Sequence, residues 1–314
     1  MFAALIVAFI GCDSTQSLDP NGSLTPDAVD QDAVADVPLG EDEADVEVMS
    51  VREPQLASAS FAGGIPIGMA AQPISAFGRR FNGAKLTVGP GQIMDVLSAV
   101  RSRGGRVVLM LAGNPRHYKD GDGHFSFTKW KDEVNDFKGI NFSSYIQDGT
   151  VIGHYLMDEP NDRRNWNGRP VPPSVLEDMA QYSKQIWPNL ATIVRVEPSY
   201  LGQNHRYLDA AWAQYLARRG NVNDYIRRNV NDAQDRGLGL VVGLNVLNGG
   251  TPNGTRMTAN EVEAWGSALL SSSYPCAFIM WQHNSDYLSS TSIGSALDAL
   301  RRKAENRSSK SCRT

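Results

Sequence analysis

Several familiar signatures are missing from this chain, and each absence narrows what it can do. No C-x-x-C and no H-E-x-x-H occurs, so a zinc site of either usual kind has no support. No G-x-G-x-x-G and no G-x-x-x-x-G-K-[ST] is present, which removes the usual reason to expect a doubly wound nucleotide-binding sheet. No basic run is interleaved with aromatic residues, so nucleic acid is not an expected partner. Long apolar runs are lacking too: the stretch Phe2 to Gly11 is about half the length a membrane-spanning helix needs. Cysteine is scarce and odd in number, with Cys12, Cys276 and Cys312 among 314 residues. Residues 13–60 have no aromatic side chain and a single base, Arg52, against twelve acids, a charge of −11.

Such a segment buries too little apolar surface to offset its chain entropy, and the composition predicts a disordered tether. The whole chain carries −4 and its first twelve residues carry no charge, so residues 61–314 carry +7. That excess suits acidic surroundings such as an anionic polysaccharide, or is ordinary surface charge. Ahead of the tether, Phe2 to Gly11 reads as the apolar core of a secretory signal ending at Cys12. The run Ala8-Phe9-Ile10-Gly11-Cys12 resembles a bacterial lipobox. Gly11 fits that pattern, whereas Phe9 stands where leucine is usual. No Lys or Arg precedes the run, so a start codon further upstream is expected. The resemblance implies lipidation of Cys12 and a membrane contact through that anchor alone; a plain signal segment and secretion is the alternative. Lipidation also resolves the cysteine count. Cys276 and Cys312 are left as a candidate disulfide in an oxidising compartment, or as two free thiols.

From Phe61 the chain alternates strand and helix patterns. Candidate strands are 65–70, 84–88, 106–111, 151–157, 192–196, 209–213, 240–246 and 277–281. Helical patterns cover 92–103, 172–186, 223–236, 258–270 and 293–304. The first of these puts Ile93, Val96, Leu97 and Val100 on one stripe, and the fourth opens with a capping box, Thr258 and Glu261. Eight strands over about 250 residues predict a (β/α)8 barrel, with an open doubly wound sheet as the alternative. On that fold the last strand and the last helix bring Cys276 and Cys312 to the same end. No second domain or internal repeat is visible.

In a barrel the chemistry collects where strands end. The third candidate strand runs into Asn114, Arg116 and His117, and the fourth into Asp158-Glu159-Pro160. The fifth ends at Arg195 and Glu197, and the sixth carries Trp212, Gln214 and Tyr215. The seventh ends at Asn245 and Asn248, the eighth at Trp281, His283 and Asn284. Carboxylates for proton transfer, amides for hydroxyls and aromatic faces for a pyranose form the mixture a saccharide site needs. Each residue also has a plainer role open to it. Asp158 or Glu159 could pair with Arg195 or Arg116, Glu197 could belong to a salt network, and Trp212 and Trp281 could be barrel packing. His154, inside the fourth strand, reads as a hydrogen-bonded core histidine. Asp120-Gly121-Asp122-Gly123 looks like a fragment of a calcium loop without its later ligands, hence a solvated turn.

The ending Met157-Asp158-Glu159-Pro160 resembles the acid/base strand of (β/α)8 retaining glycoside hydrolases, where Asn-Glu-Pro is common. The resemblance covers about four residues as motif and implies Glu159 as general acid/base. Asp158 departs from the usual asparagine, and the seventh strand ends in Asn245 and Asn248 where that family's nucleophilic glutamate would stand. Three readings follow. Glu197 is the second carboxylate, as nucleophile or base. Or Asp158 orients a substrate 2-acetamido group, as in hexosaminidases that use that group as nucleophile. Or the cleft binds sugar without cleaving it. The expectation is therefore a tethered (β/α)8 glycosidase, residues 61–314, outside the cytoplasmic membrane, with a non-catalytic polysaccharide-binding barrel as the second reading. Neither reading calls for a cofactor or a metal, and no protein partner is evident. A metal-dependent hydrolase would need a His/Asp cluster that these strand ends do not supply.

Overall fold

A computed structural model describes residues 63–313. The signal-like segment, Cys12 and the acidic stretch 13–60 lie outside the described residues. Eight strands follow one another: β1 (Ile67–Ala70), β2 (Gly83–Thr87), β3 (Arg106–Met110), β4 (Val151–Asp158), β5 (Thr192–Arg195), β6 (Ala210–Tyr215), β7 (Gly239–Leu244) and β8 (Ala277–Met280). Each pairs in parallel with the next, and β8 returns to β1, closing the barrel. This is the (β/α)8 fold, and it replaces the open-sheet alternative.

The outer layer is made by α1 (Ile93–Ser102), α2 (Phe127–Asn135), α3 (Ser143–Gln147), α4 (Pro173–Ile186), α5 (Val222–Asp235), α6 (Ala259–Ser271), α7 (Ser285–Leu288) and α8 (Thr291–Glu305). The stripe Ile93, Val96, Leu97 and Val100 is the buried face of α1. Thr258 and Glu261 form the capping box: Thr258 Oγ1 accepts the Glu261 N–H at 3.3 Å, and Glu261 Oε2 accepts the Thr258 N–H at 2.7 Å. The sequence pattern did not reveal α2. Its buried residues are Trp130 and Val134, one turn apart, too narrow a stripe to stand out among charged neighbours. Among the described residues, the β1–β2 and β5–β6 connections hold a single 3-10 turn each and no α-helix. None of the described helices is long and apolar enough to cross a membrane.

Strand alternation sorts side chains between two apolar layers. Ile193 of β5, Ala210 and Trp212 of β6, Val241 of β7 and Ala277 and Ile279 of β8 fill the barrel interior. Their neighbours Val194, Ala211, Ala213, Val242 and Phe278 pack outward against the helices. β4 breaks this rule. Tyr155 pairs with Ile193 and Met157 with Val194, so one extra residue is inserted between them. The bulge resets the alternation: Leu156 and Met157 both join the outer layer. Tyr155 and Asp158, three apart, are thereby brought onto the same side and bond to each other. At the opposite end Cys276 and Cys312 are joined in a disulfide, and with Ile152 they form the floor of the interior.

Candidate functional site

The centre of the barrel mouth is Arg195, the last residue of β5, which is buried. Inward parity aims its side chain across the mouth, where four groups use its guanidinium. Nε donates to Asp158 Oδ1, Nη1 donates to Gln214 Oε1, and Nη2 lies 3.1 Å from Glu159 Oε1. The plane sits over the Trp281 indole, 5.3 Å from its ring centroid. Gln214 is fixed in turn, donating Nε2–H to the Leu244 carbonyl at 3.2 Å. Burial works against the charge on Arg195, but Asp158 and Glu159 outweigh it and hold the guanidinium ionised well above its ordinary range.

The two adjacent acids have different surroundings. Asp158 Oδ1 accepts both the Arg195 donor and the Tyr155 hydroxyl at 2.9 Å, with 19% of its side chain exposed. Among the described residues both bonds go to Oδ1 and none to Oδ2. Glu159 keeps 41% of its side chain exposed. Arg195 pulls the Glu159 pKa down, but desolvation in the mouth and the nearby Asp158 and Asp162 carboxylates push it up, and the net direction is up. Its backbone is held in the left-handed region at φ 37°, uncommon for a residue with a Cβ. Three hydrogen bonds hold it there. Its N–H donates to the Arg195 carbonyl at 3.1 Å, and its carbonyl accepts from Trp166 Nε1 at 3.0 Å and from the Asp162 N–H at 3.1 Å. Trp166 is itself buried, so the chain's turn out of β4 rests on packed residues.

Glu197 does not join this pair through a bond. Its carboxylate lies 3.2 Å from Arg219 Nε on the turn after β6, while Arg195 turns to Asp158 and Glu159 instead. The Arg219 charge also reaches Glu159 and lowers its pKa slightly.

Two expected stacking platforms are corrected. Trp212 is 1% exposed inside the barrel, edge-on to Tyr155 with ring centroids 5.5 Å apart. Tyr215, an odd number of residues further along, faces outward, packs on Tyr225 and Trp265, and donates its hydroxyl to the Gly220 carbonyl at 2.6 Å. Neither ring offers a face to a ligand. Trp281, partly exposed above Arg195, remains at the mouth, and the Trp281–Gln282 peptide is cis.

The amides have local bonds. Asn114 Oδ1 accepts the Arg116 N–H at 2.9 Å, Asn245 Oδ1 accepts the Asn248 N–H at 3.0 Å, and Asn284 caps α7 by accepting the Tyr287 N–H at 2.9 Å. Arg116 and His117 are exposed on the loop after β3, and His117 Nδ1 faces Glu133 at 3.4 Å. His283, half-buried after β8, donates its backbone N–H to Ala70 at 3.0 Å, and burial lowers its pKa. His154 is the core histidine expected from sequence: fully buried, hydrogen-bonded to Ser183 Oγ at 2.8 Å, its pKa lowered by burial to about 3. In the loop Asp120-Gly121-Asp122-Gly123-His124, the Asp120 carboxylate accepts the backbone N–H groups of Asp122 and His124 at 2.9 Å, and one ligand atom each of Asp120, Asp122 and His124 lie within 4.8 Å of one another.

Three interior residues escaped the sequence reading. Lys85 of β2 is buried, donates to Thr87 Oγ1 at 3.2 Å and approaches the Tyr155 ring at 5.5 Å. Thr87 donates in turn to Met110 Sδ at 3.7 Å. Tyr155, buried beneath Asp158, has its hydroxyl pKa raised by burial and by that carboxylate. A lysine alternating with apolar neighbours inside a strand was the available signal.

No protein-family profile matches the chain, and no curated protein sequence does. Solved structures do share its fold. A candidate alpha-L-fucosidase from Bacteroides thetaiotaomicron is similar over 83% of this chain and 99% of its own, at 11% identity and a TM-score of 0.54. A GH18 chitinase from Pseudoalteromonas aurantia covers 76% of this chain and 99% of its own, at 13% identity and a TM-score of 0.47. D-psicose 3-epimerase from Clostridium cellulolyticum H10 covers 77% and 96%, at 11% identity and a TM-score of 0.41. At these identities the likeness carries the fold and nothing finer.

Proposed function

We propose that the protein hydrolyses glycosidic bonds of an oligo- or polysaccharide outside the cytoplasmic membrane, with Glu159 as the general acid/base. The observation that carries this reading is the asymmetry of the acid pair. Asp158 is pinned to Arg195 and Tyr155, while Glu159 meets Arg195 only through Nη2 at 3.1 Å, is more exposed at the mouth and has its pKa raised. A general acid needs this combination, a reachable carboxyl that stays protonated further toward neutral pH. Asp158 Oδ2, which no described residue bonds, would accept an N–H from a substrate amide, and this supports the substrate-assisted route over one that uses Glu197 as nucleophile. Trp281 supplies the stacking face, and the amide nitrogens of Asn114, Asn245 and Asn248 are donors for hydroxyls.

The extracytoplasmic setting rests on the lipobox-like run at Cys12 and on the Cys276–Cys312 disulfide, since such bonds persist in oxidising compartments. Gly63, the first described residue, lies at the barrel floor beside that disulfide.

A screen of aryl glycosides and natural polysaccharides, including N-acetylated ones, tests the proposal with Glu159→Gln alongside. Activity that disappears in the variant supports it, and preference for N-acetylated substrates supports the role of Asp158. A second reading, a saccharide-binding barrel without turnover, draws on the fact that Asp158, Glu159 and Glu197 all lie against arginines. Retained binding with no hydrolysis of any substrate would replace the first reading with the second.

A further inference from the structure

The floor of the barrel, opposite Glu159, holds a cavity of about 400 Å³. Its walls include Arg106, Asp148, Asn189, Lys310 and Arg313, with the Cys276–Cys312 disulfide beside them. Arg106 opens β3 and is only 7% exposed. Its two terminal nitrogens both donate to the Gly64 carbonyl at 3.2 Å, and among the described residues its Nε has no partner. Among the described residues, no carboxylate pairs with Arg106. The acid in the cavity wall, Asp148, is taken: it lies 2.5 Å from Arg101 and accepts from the Thr150 N–H at 2.9 Å and hydroxyl at 2.7 Å.

A guanidinium does not shed its proton at neutral pH. Burial brings Arg106 down only to about 10, so it stays charged. A buried charge with no counter-charge is strongly unfavourable, and an anion drawn into the cavity would relieve it. Two more cations are held at the rim. Lys310 lies over the Tyr274 ring at 3.6 Å, and Arg313 Nη1 donates to Asn189 Oδ1 at 3.2 Å. Ser309 and Ser311 line the same wall and add hydroxyls.

From this arrangement we propose that the barrel floor is an anion site in which Arg106, Lys310 and Arg313 bind a carboxylate or phosphate group. The site is separate from the hydrolytic reading and stands if that reading fails. Its anion has two sources of the same chemistry. One is a solute. The other is the chain's own acidic run between Glu41 and Glu53, which precedes Gly63, a residue in the cavity wall.

Thermal melts of the full chain in inorganic phosphate, against chloride at matched ionic strength, test this. A second full chain carries Gln or Asn at Glu41, Asp42, Glu43, Asp45, Glu47 and Glu53. If the anion comes from solution, phosphate raises the Tm of the native chain saturably, by about 4 °C or more at high occupancy. If the chain's own carboxylates fill the site, the neutralised chain melts lower and alone gains the phosphate shift. In either case Lys310→Gln combined with Arg313→Gln, both at exposed positions, raises the phosphate midpoint about tenfold or more, the loss of roughly one charge-assisted contact. Arg106→Gln abolishes the shift; if that variant does not fold, the exposed pair decides. No saturable phosphate-specific shift in either chain, or one that the Lys310/Arg313 variant leaves unchanged, overturns the proposal.

Discussion

Replacing Arg195 with methionine tests the electrostatics of the mouth most directly. In the native chain this buried guanidinium serves Asp158, Glu159 and Gln214 at once. Methionine keeps much of the volume and removes every donor. Removing one partner of a buried ion pair costs about 3–5 kcal/mol, because the other charge is left uncompensated. Asp158, with 19% of its side chain exposed, should incur most of that cost, whereas Glu159 at 41% is partly screened by water. About 3 kcal/mol at neutral pH is therefore expected, or roughly 6–12 °C in Tm for a domain of this size. The pH dependence has a definite sign. Glu159 already has a raised folded-state pKa, so the stability it contributes is present below its unfolded value and lost as pH rises through the folded one. Arg195 is the largest influence holding that pKa down, so its removal raises the pKa further and makes the penalty grow with pH. Urea unfolding followed by circular dichroism at about pH 4 and about pH 7 reads both quantities. The loss should shrink at the lower pH, and adding Asp158→Asn should recover at least half of it at the higher. An equal loss at both pH values, with no recovery in the double variant, refutes the reasoning.

Other outcomes follow from the same geometry. Glu159→Gln should lower turnover by about 10²–10⁴. It should also remove the alkaline limb of the native kcat profile, a fall as pH rises through the raised Glu159 pKa, which pH–rate measurements on an aryl glycoside would follow. Cys276→Ser should cost about 3–4 kcal/mol in denaturant unfolding, since the disulfide closes a loop with a sequence separation of 36. Trp281→Ala should weaken saccharide binding about tenfold, read by titration calorimetry, through loss of its stacking face. Thr258→Ala should cost about 1 kcal/mol by opening the α6 capping box, and would leave any hydrolysis unchanged.

The glycosidase reading depends on how little freedom the acid pair has. Asp158 and Glu159 are adjacent in sequence, yet one is bonded beneath the mouth and the other stands at its surface. The bulge in β4 and the left-handed backbone of Glu159 cause that divergence. A regular strand would send the two carboxylates to opposite faces, one into the barrel and one among the helices.

Sequence alone pointed to a barrel of eight strands, and the pairing of β8 with β1 closed it against the open-sheet alternative. Alternation in the strands and apolar stripes such as that of α1 are local patterns, and burial of those patterns admits few arrangements. The capping box of α6, the core role of His154 and the candidacy of Cys276 and Cys312 as partners were legible for the same reason. The tertiary structure decided the site. The sequence offered Arg195 as one partner for Asp158 or Glu159 and left Arg116 and Glu197 open beside it; strand register, which brings residues 37 apart together, made the choice. The sequence likewise counted Trp212 and Tyr215 as mouth residues. Closure of the barrel put one inside the interior and the other under the helices, since inward and outward parity along a strand is fixed only when its neighbours pair with it. Lys85 and Tyr155 look like ordinary strand residues until the barrel closes and their side chains converge beneath the mouth.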